Sequence, residues 1–222
     1  PLIGYEKTGG DWSAFPAGVT GVVGDVINGD AITALHVNNN ESYIIQSHDS
    51  GTSQFTLTSD QSINQGTILI AAKNDCSRIA IFQNTDENNG DDIVIHGNGD
   101  EDTVDLGSSG PDTFPANSRL YPLSAATYYI GTNPYGEPSL YRETLTTSGG
   151  DPTTVAEELV EGVEDMQLLY GEDIAGSIDK IDVYRTANNV ADWSRIIGVR
   201  VSLLMVSRQD EQGITTEPHT YS

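Results

Sequence analysis

Alternating apolar and polar positions dominate this 222-residue chain and predict a set of short β-strands. Successive side chains of a strand point to opposite faces, so a half-buried strand shows a period of two. Residues 31–37, 42–46 and 54–58 carry this pattern. Residues 67–72 and 78–83 are apolar and rich in β-branched side chains, and the turn-like KNDCS between them predicts a hairpin.

The C-terminal half predicts a second hairpin and two further strands. The segments ATYYIG and SLYRETL flank a turn with Asn-Pro and Gly-Glu-Pro, and Pro138 stands where a strand can begin without its N–H. Met166, Leu168 and Tyr170 alternate as the residues of a strand do. Residues 197–205 form the longest alternating run and are expected to form a central strand.

One segment has a helical period instead. Between residues 151 and 166, Val155, Leu159 and Val163 recur at i, i+4 and i+8, which predicts one apolar face of a short helix. The aspartate and proline that begin the segment suit a helix cap and a first helical position.

These elements predict an α+β fold that is mainly antiparallel β, in one domain over residues 1–208. The glycine-rich residues 1–30 are expected to be an irregular lead-in, and residues 209–222 a polar, flexible tail. IVIH, after Asp92, is a further short run of buried character.

Charge narrows the range of functions. Thirty-three acidic residues against ten basic ones give a formal net charge of −23. Such a chain repels phosphate backbones and anionic lipid headgroups, which argues against binding to nucleic acid or to a membrane surface. It has no run of about 18 apolar residues and no initiating Met, so we expect a fragment of a longer precursor.

Catalytic signatures are not found in the sequence, and no cofactor is predicted. The nucleophile motif G-x-S-x-G is absent, and GVTGVVGDVINGD lacks the Lys-Ser/Thr of a phosphate-binding loop. The four histidines are His36, His48, His96 and His219, and none has a second histidine two to four positions away. A transition-metal site is therefore not indicated, and each is expected to be an ordinary strand or loop residue.

An acidic loop is the one candidate metal site. Asp86, Asn88, Asp91 and Asp92 surround a glycine and offer oxygens of the kind that Ca²⁺ prefers. In so acidic a chain, a solvated loop without metal is the simpler interpretation, as it is for the acidic stretches at 100–105 and 172–179. Calcium therefore stays open as a ligand of this loop.

Cys76 is the single cysteine, so no disulfide can form within the chain. It could be a half-buried thiol or half of a pair with a partner outside this sequence. Tyr128, Tyr129, Tyr135 and Tyr141 cluster around the second hairpin, and Tyr128 and Tyr129 are expected to take part in cross-strand aromatic pairing that holds it. Tyr135 could belong to that pairing or to a contact patch for a neighbouring protein or a glycan.

An ordered series of segments resembles the PilW family of minor type IV pilins. The N-terminal part of the series is PLIGYE, GDAITALHV and GTILIAAKNDCSRIAIFQ. The C-terminal part is YYIG, EPSLYRE, LVEGVEDMQLLYGED and ADWSRIIGVRVSLLMVSR. The order of these pieces over residues 1–208 carries the resemblance, above all the last two segments.

The resemblance implies a structural protein and not an enzyme. It implies the soluble head of a subunit whose hydrophobic N-terminal helix anchors it in the inner membrane of a Gram-negative bacterium, with the head in the periplasm. It also implies assembly with other minor pilins and the major pilin, in a complex that primes the pilus and ends at its tip. Without the helix, an apolar strip on the head should be left partly bare.

Three alternatives remain open. The related minor pseudopilin of type II secretion would have partner pseudopilins instead. A carbohydrate-binding adhesin of β-sandwich type would need an exposed aromatic platform. A secreted hydrolase would need a catalytic constellation of which the sequence shows no signature.

Overall fold

The computed structural model describes residues 2–8, 11–12, 26–37, 40–88, 90–97, 113–175 and 180–206. These residues form fifteen strands, all paired antiparallel, and two single-turn 3₁₀ helices. The first nine strands are β1 Leu2–Tyr5, β2 Lys7–Thr8, β3 Asp11–Trp12, β4 Val26–Val37, β5 Tyr43–Asp49, β6 Gln54–Leu57, β7 Ile68–Ala72, β8 Ile79–Gln83 and β9 Ile93–Ile95. The other elements are β10 Arg119–Thr132, β11 Pro138–Ser148, β12 Asp151–Glu161, β13 Val163–Glu172, β14 Val183–Arg185, the 3₁₀ turns Ala187–Asn189 and Trp193–Arg195, and β15 Ile196–Met205.

The long strand β10 joins two regions of the fold. Its C-terminal part lies between β4 and β11, in a main sheet of order β1-β4-β10-β11-β12. Its N-terminal part pairs with β5 and β7, which extend into an outer region of β5-β6-β9 and β7-β8. The outer region encloses its own core of aromatic and aliphatic side chains, namely Ile45, Phe55, Leu57, Ile63, Leu69, Ala71, Phe82, Val94, Phe114 and Leu120.

A three-stranded sheet, β14-β13-β15, packs across one face of the main sheet. The Leu168 N–H of β13 donates to Asp30 Oδ2 of β4 at 2.7 Å, which ties the two layers. The backbone of Met166 comes so near that a Cβ on Gly29 would lie 2.5 Å from its nitrogen, and Gly29 has φ +77°. Only glycine fits that position without strain, so this close crossing depends on it.

Residues 151–161 form a strand, so the predicted helix is wrong. Gly149 and Gly150 both have positive φ and make the tight turn between β11 and β12. Once that hairpin forms, ten of the eleven residues of β12 pair along β11. A bulge near Leu159 shifts the register, so Val155 and Val160 come to lie on the same face. Because of this shift, the apolar residues of the strand do not recur at every second position. Their spacing of four, which indicated a helix, is accidental.

The remaining strand predictions agree with the fold, with two corrections. The lead-in is not irregular throughout, since it contains β1 to β3 and the start of β4. Residues 196–205 are a strand, but β15 lies at an edge of its sheet and not at the centre. The fold is thus mainly antiparallel β with almost no helix, and within the described residues no helix has the length and hydrophobicity that a membrane crossing requires. The predicted tail at 209–222 lies outside those residues.

Candidate assembly surface

Large apolar side chains are exposed along β15. Val199, Val201 and Leu203 lie opposite Tyr170, Leu168 and Met166 of β13. Residues directly opposite each other in an antiparallel pair project from the same face. The three β13 side chains are buried against the main sheet, whereas Val201 and Leu203 are 55% and 44% exposed. The apolar face therefore continues past the covered part of the small sheet.

Two further exposed groups extend this surface. At the end of β15, Leu204, Met205 and Val206 are exposed as well. On β12, Val155 and Val160 are 55% and 45% exposed on the main-sheet face that also carries Leu140. We call these exposed apolar residues the edge strip: Val155, Val160, Val199, Val201, Leu203, Leu204, Met205 and Val206.

Gly162 holds the two parts of the edge strip at one corner. Its N–H donates to the Pro138 carbonyl of β11 at 2.8 Å, and its own carbonyl accepts from the Val206 N–H at 2.8 Å. The main sheet and the small sheet therefore meet where β12 turns into β13. This corner brings the C-terminal end of β12 next to the C-terminal end of β15.

Charge around the edge strip is mainly acidic. Glu157 and Glu164 are exposed beside it, and Arg142 Nη2 lies 2.6 Å from Glu157 Oε2. This hydrogen bond, together with the charge of Glu157, raises the pKa of Arg142. Glu158 accepts from Ser139 Oγ at 2.7 Å, so part of the acidic charge serves the hairpin itself. The chemistry of the edge strip suits packing against apolar groups of another surface.

The tyrosines of the second hairpin divide by position. Tyr129 and Tyr141 are directly opposite each other, buried and stacked at 5.7 Å, as predicted for a cross-strand pair. Burial, followed by the charge of Glu143, raises the pKa of Tyr129 to about 12. Tyr128 lies opposite Arg142 and packs against the core beneath β13. Tyr135 is 83% exposed at the tip of the turn and takes no part in the pair.

Two carboxylates of the candidate calcium loop, those of Asp86 and Asp91, accept hydrogen bonds from the loop itself. Asp86 is buried and accepts from the Asn88 N–H at 2.9 Å and from Asn88 Nδ2 at 3.2 Å. Asp91 accepts from the Ile93 N–H at 3.0 Å, and the Asp92 carbonyl accepts from Leu57. In the part of the chain that is described, no three histidine, cysteine or acidic side chains are grouped as a metal ion requires. Calcium binding by this loop stays a prediction.

Cys76 lies in the turn between β7 and β8 with φ +57° and is exposed. The half-buried alternative is therefore wrong. Sequence alone could not decide between the two alternatives, because the exposure of a lone cysteine in a short turn depends on how the turn packs.

Comparison with known proteins supports the resemblance for one part of the chain. Residues 127–222 match the family model described as Type IV Pilus-assembly protein W, which confirms the PilW resemblance over that range. No curated protein and no solved structure matches the chain significantly. The matched range begins within β10 and contains every residue of the edge strip, whereas β5 to β9 lie outside it.

Proposed function

We propose that this chain, a PilW-family protein over residues 127–222, is a minor pilin head that assembles with other minor pilins to prime a type IV pilus and form its tip. The family itself is one of pilus assembly, which implies a structural role in the Gram-negative envelope and contact with other pilus components. Priming, tip position and the identity of the partners are the parts that we propose.

The observation that carries the proposal is the coincidence of the matched range with the edge strip. A subunit of a filament must present apolar surface to its neighbours, and large exposed apolar patches on a soluble domain mark such contacts. Here these side chains lie in the part of the chain that is similar to pilus-assembly proteins. The strip also suits the partly bare surface expected beside the hydrophobic helix that the resemblance implies.

A second copy of this chain is a poor partner for the edge strip. Each copy carries a formal net charge of −23, and Glu157 and Glu164 are exposed close to the apolar residues. Like charges brought together at an interface oppose association and suppress wrong partners. The proposed partners are therefore different pilus subunits with an apolar surface and a less acidic rim.

Co-purification with the minor pilins encoded beside this gene tests the proposal. We expect stable co-elution of the full-length protein with at least one of them, and its loss in Val201→Lys, which places a charge in the strip. Ile79→Lys is the matched control, since Ile79 is a β-branched strand residue, 63% exposed, outside the matched range. Co-elution with no minor pilin, or equal loss in both variants, would contradict the proposal.

The same experiment addresses the alternative in type II secretion. The pseudopilin alternative predicts co-elution with pseudopilins of a type II secretion system in place of minor pilins. The adhesin alternative has less support, because Tyr135 is the one strongly exposed aromatic side chain among the described residues and a single ring makes no platform.

A further inference from the structure

Two histidines that lie 48 positions apart in sequence meet in the outer region. His48 is near the end of β5 and lies opposite Phe55 of β6. Phe55 lies opposite Val94 of β9, and His96 follows that strand directly. The pairing of the three strands brings the two imidazoles together, with 3.1 Å between their Nε2 atoms.

The hydrogen bonds around the pair fix the positions of its protons. The Phe114 N–H donates to His48 Nδ1 at 3.3 Å, so this nitrogen carries a lone pair and the proton of neutral His48 is on Nε2. That proton can then be donated to His96 Nε2. The second nitrogen of His96, Nδ1, lies 3.4 Å from the Gly97 carbonyl and donates to it. The chain of bonds has one direction, and it is complete only when both rings are neutral.

The surroundings oppose a charge on His48. The His48 ring stacks on the Phe55 ring with 4.1 Å between their centroids, and its centroid lies 5.9 Å from that of Phe114. The centroids of the His96 and Phe82 rings are 5.8 Å apart. Among the described residues, the titratable groups that act on His48 are His96 and, on its own strand, Asp49. Burial, followed by His96, lowers the pKa of His48 to about 4, against a smaller opposite effect of Asp49.

A shared metal ion does not fit this arrangement. If both Nε2 atoms bound a metal, His48 would carry its proton on Nδ1, where it would face the donating N–H of Phe114. The described residues also supply no third histidine, cysteine or carboxylate at the site.

We propose that His48 and His96 form a hydrogen-bonded pair that acid breaks and that, when intact, links Phe114 to β5 and β9 in the core of the outer region. We call this pair the clasp. Phe114 is buried at the centre of that core, and its backbone is held by His48. A proton on either ring replaces a required acceptor with a donor and breaks the chain of bonds. This device is independent of the edge strip and goes beyond the assembly role.

The direction of the pH effect follows from the lowered pKa. Unfolded histidine titrates near pH 6.5, about 2.5 units above His48 in the fold. Between these values the unfolded chain holds a proton that the native pair excludes. The stabilisation due to the clasp is therefore complete above pH 6.5 and is lost as the pH falls to about 4.

Nuclear magnetic resonance of the histidine rings tests the clasp in the unaltered protein. We expect His48 as the Nε2–H tautomer, His96 as the Nδ1–H tautomer, and a midpoint near pH 4 for His48 with a simultaneous shift of the Phe114 amide signal. A midpoint near 6.5 or the Nδ1–H tautomer at His48 would overturn the proposal. So would Zn²⁺ that shifts both rings together at pH 7, since that result shows a metal site.

His48→Gln gives an independent measurement. The glutamine side chain can still donate an amide N–H toward His96, but it does not take up a proton between pH 4 and 6.5. Between pH 6.5 and 4, the unfolding equilibrium constant of the wild type should rise more steeply than that of the variant, by up to about tenfold per pH unit. His36→Gln, at an exposed position on β4, should leave the wild-type profile unchanged. Equal pH profiles for the wild type and His48→Gln would refute the clasp.

Discussion

The strands β7 and β15 have similar patterns of apolar residues, but their apolar side chains are buried to different extents. In β7, Leu69 and Ala71 are fully buried, because β8 and β10 pair on its two sides and the aromatic core covers its face. In β15, Val201 and Leu203 project from the face that β13 buries, yet remain about half exposed. Alternation therefore predicts that a strand forms, whereas the neighbouring elements decide whether its apolar face is covered.

This contrast separates a closed region from an open one. The outer region encloses an aromatic and aliphatic core of its own, in which its two histidines are paired, although Ile79 and Ile81 on β8 are exposed. The matched region exposes apolar groups on β12 and along β15. Burial inside the chain stabilises the fold, whereas exposure on these two strands leaves that free energy to be gained by association.

The largest expected effect lies in the closed region. Phe55 is fully buried and contacts Phe82, Phe114 and His48. Phe55→Ala should lower the free energy of unfolding by about 3–5 kcal/mol, through lost burial and the cavity that remains. Urea unfolding at pH 7.5 measures this change. A loss below about 1 kcal/mol would show that the outer region is not the closed core described.

A smaller loss of stability is expected when the hydrogen bond between the main sheet and the small sheet is removed. Asp30→Ala removes the acceptor of the Leu168 N–H and leaves that buried donor unsatisfied. The cost should be about 1–3 kcal/mol in urea unfolding. Asp30→Asn keeps one carbonyl oxygen and should cost less. If both variants match the wild type, the bond does not hold the small sheet on the main sheet.

Much of the fold could be predicted from local signals. The hairpins β7–β8 and β10–β11 carried both alternation and turn residues, and their pairing needs no distant partner. The error at residues 151–161 arose because a bulge at Leu159 disturbed the period of two. The Gly149–Gly150 turn was the local signal that would have identified this hairpin.

The candidate surface and the clasp could not be predicted in the same way. Exposure of Val201 depends on whether another layer covers it, and that is a property of the packed sheets and not of the strand pattern. His48 and His96 lie far apart in sequence, so a search for histidines within four positions could not find the pair. The family resemblance suggested the proposed role, but the positions of the residues required the packed structure.

The smallest expected change in stability belongs to the edge strip. Val201→Thr replaces a methyl with a hydroxyl in a side chain that is 55% exposed, so it should change the free energy of unfolding by less than about 0.5 kcal/mol. Leu69→Thr, at a fully buried position of β7, is the counterpart and should destabilise strongly in the same urea experiment. Association with a minor pilin should weaken in the first variant while its fold is unchanged. If Val201→Thr instead unfolds the protein as Leu69→Thr does, the strip is covered within the chain, and the distinction between the open and closed regions fails.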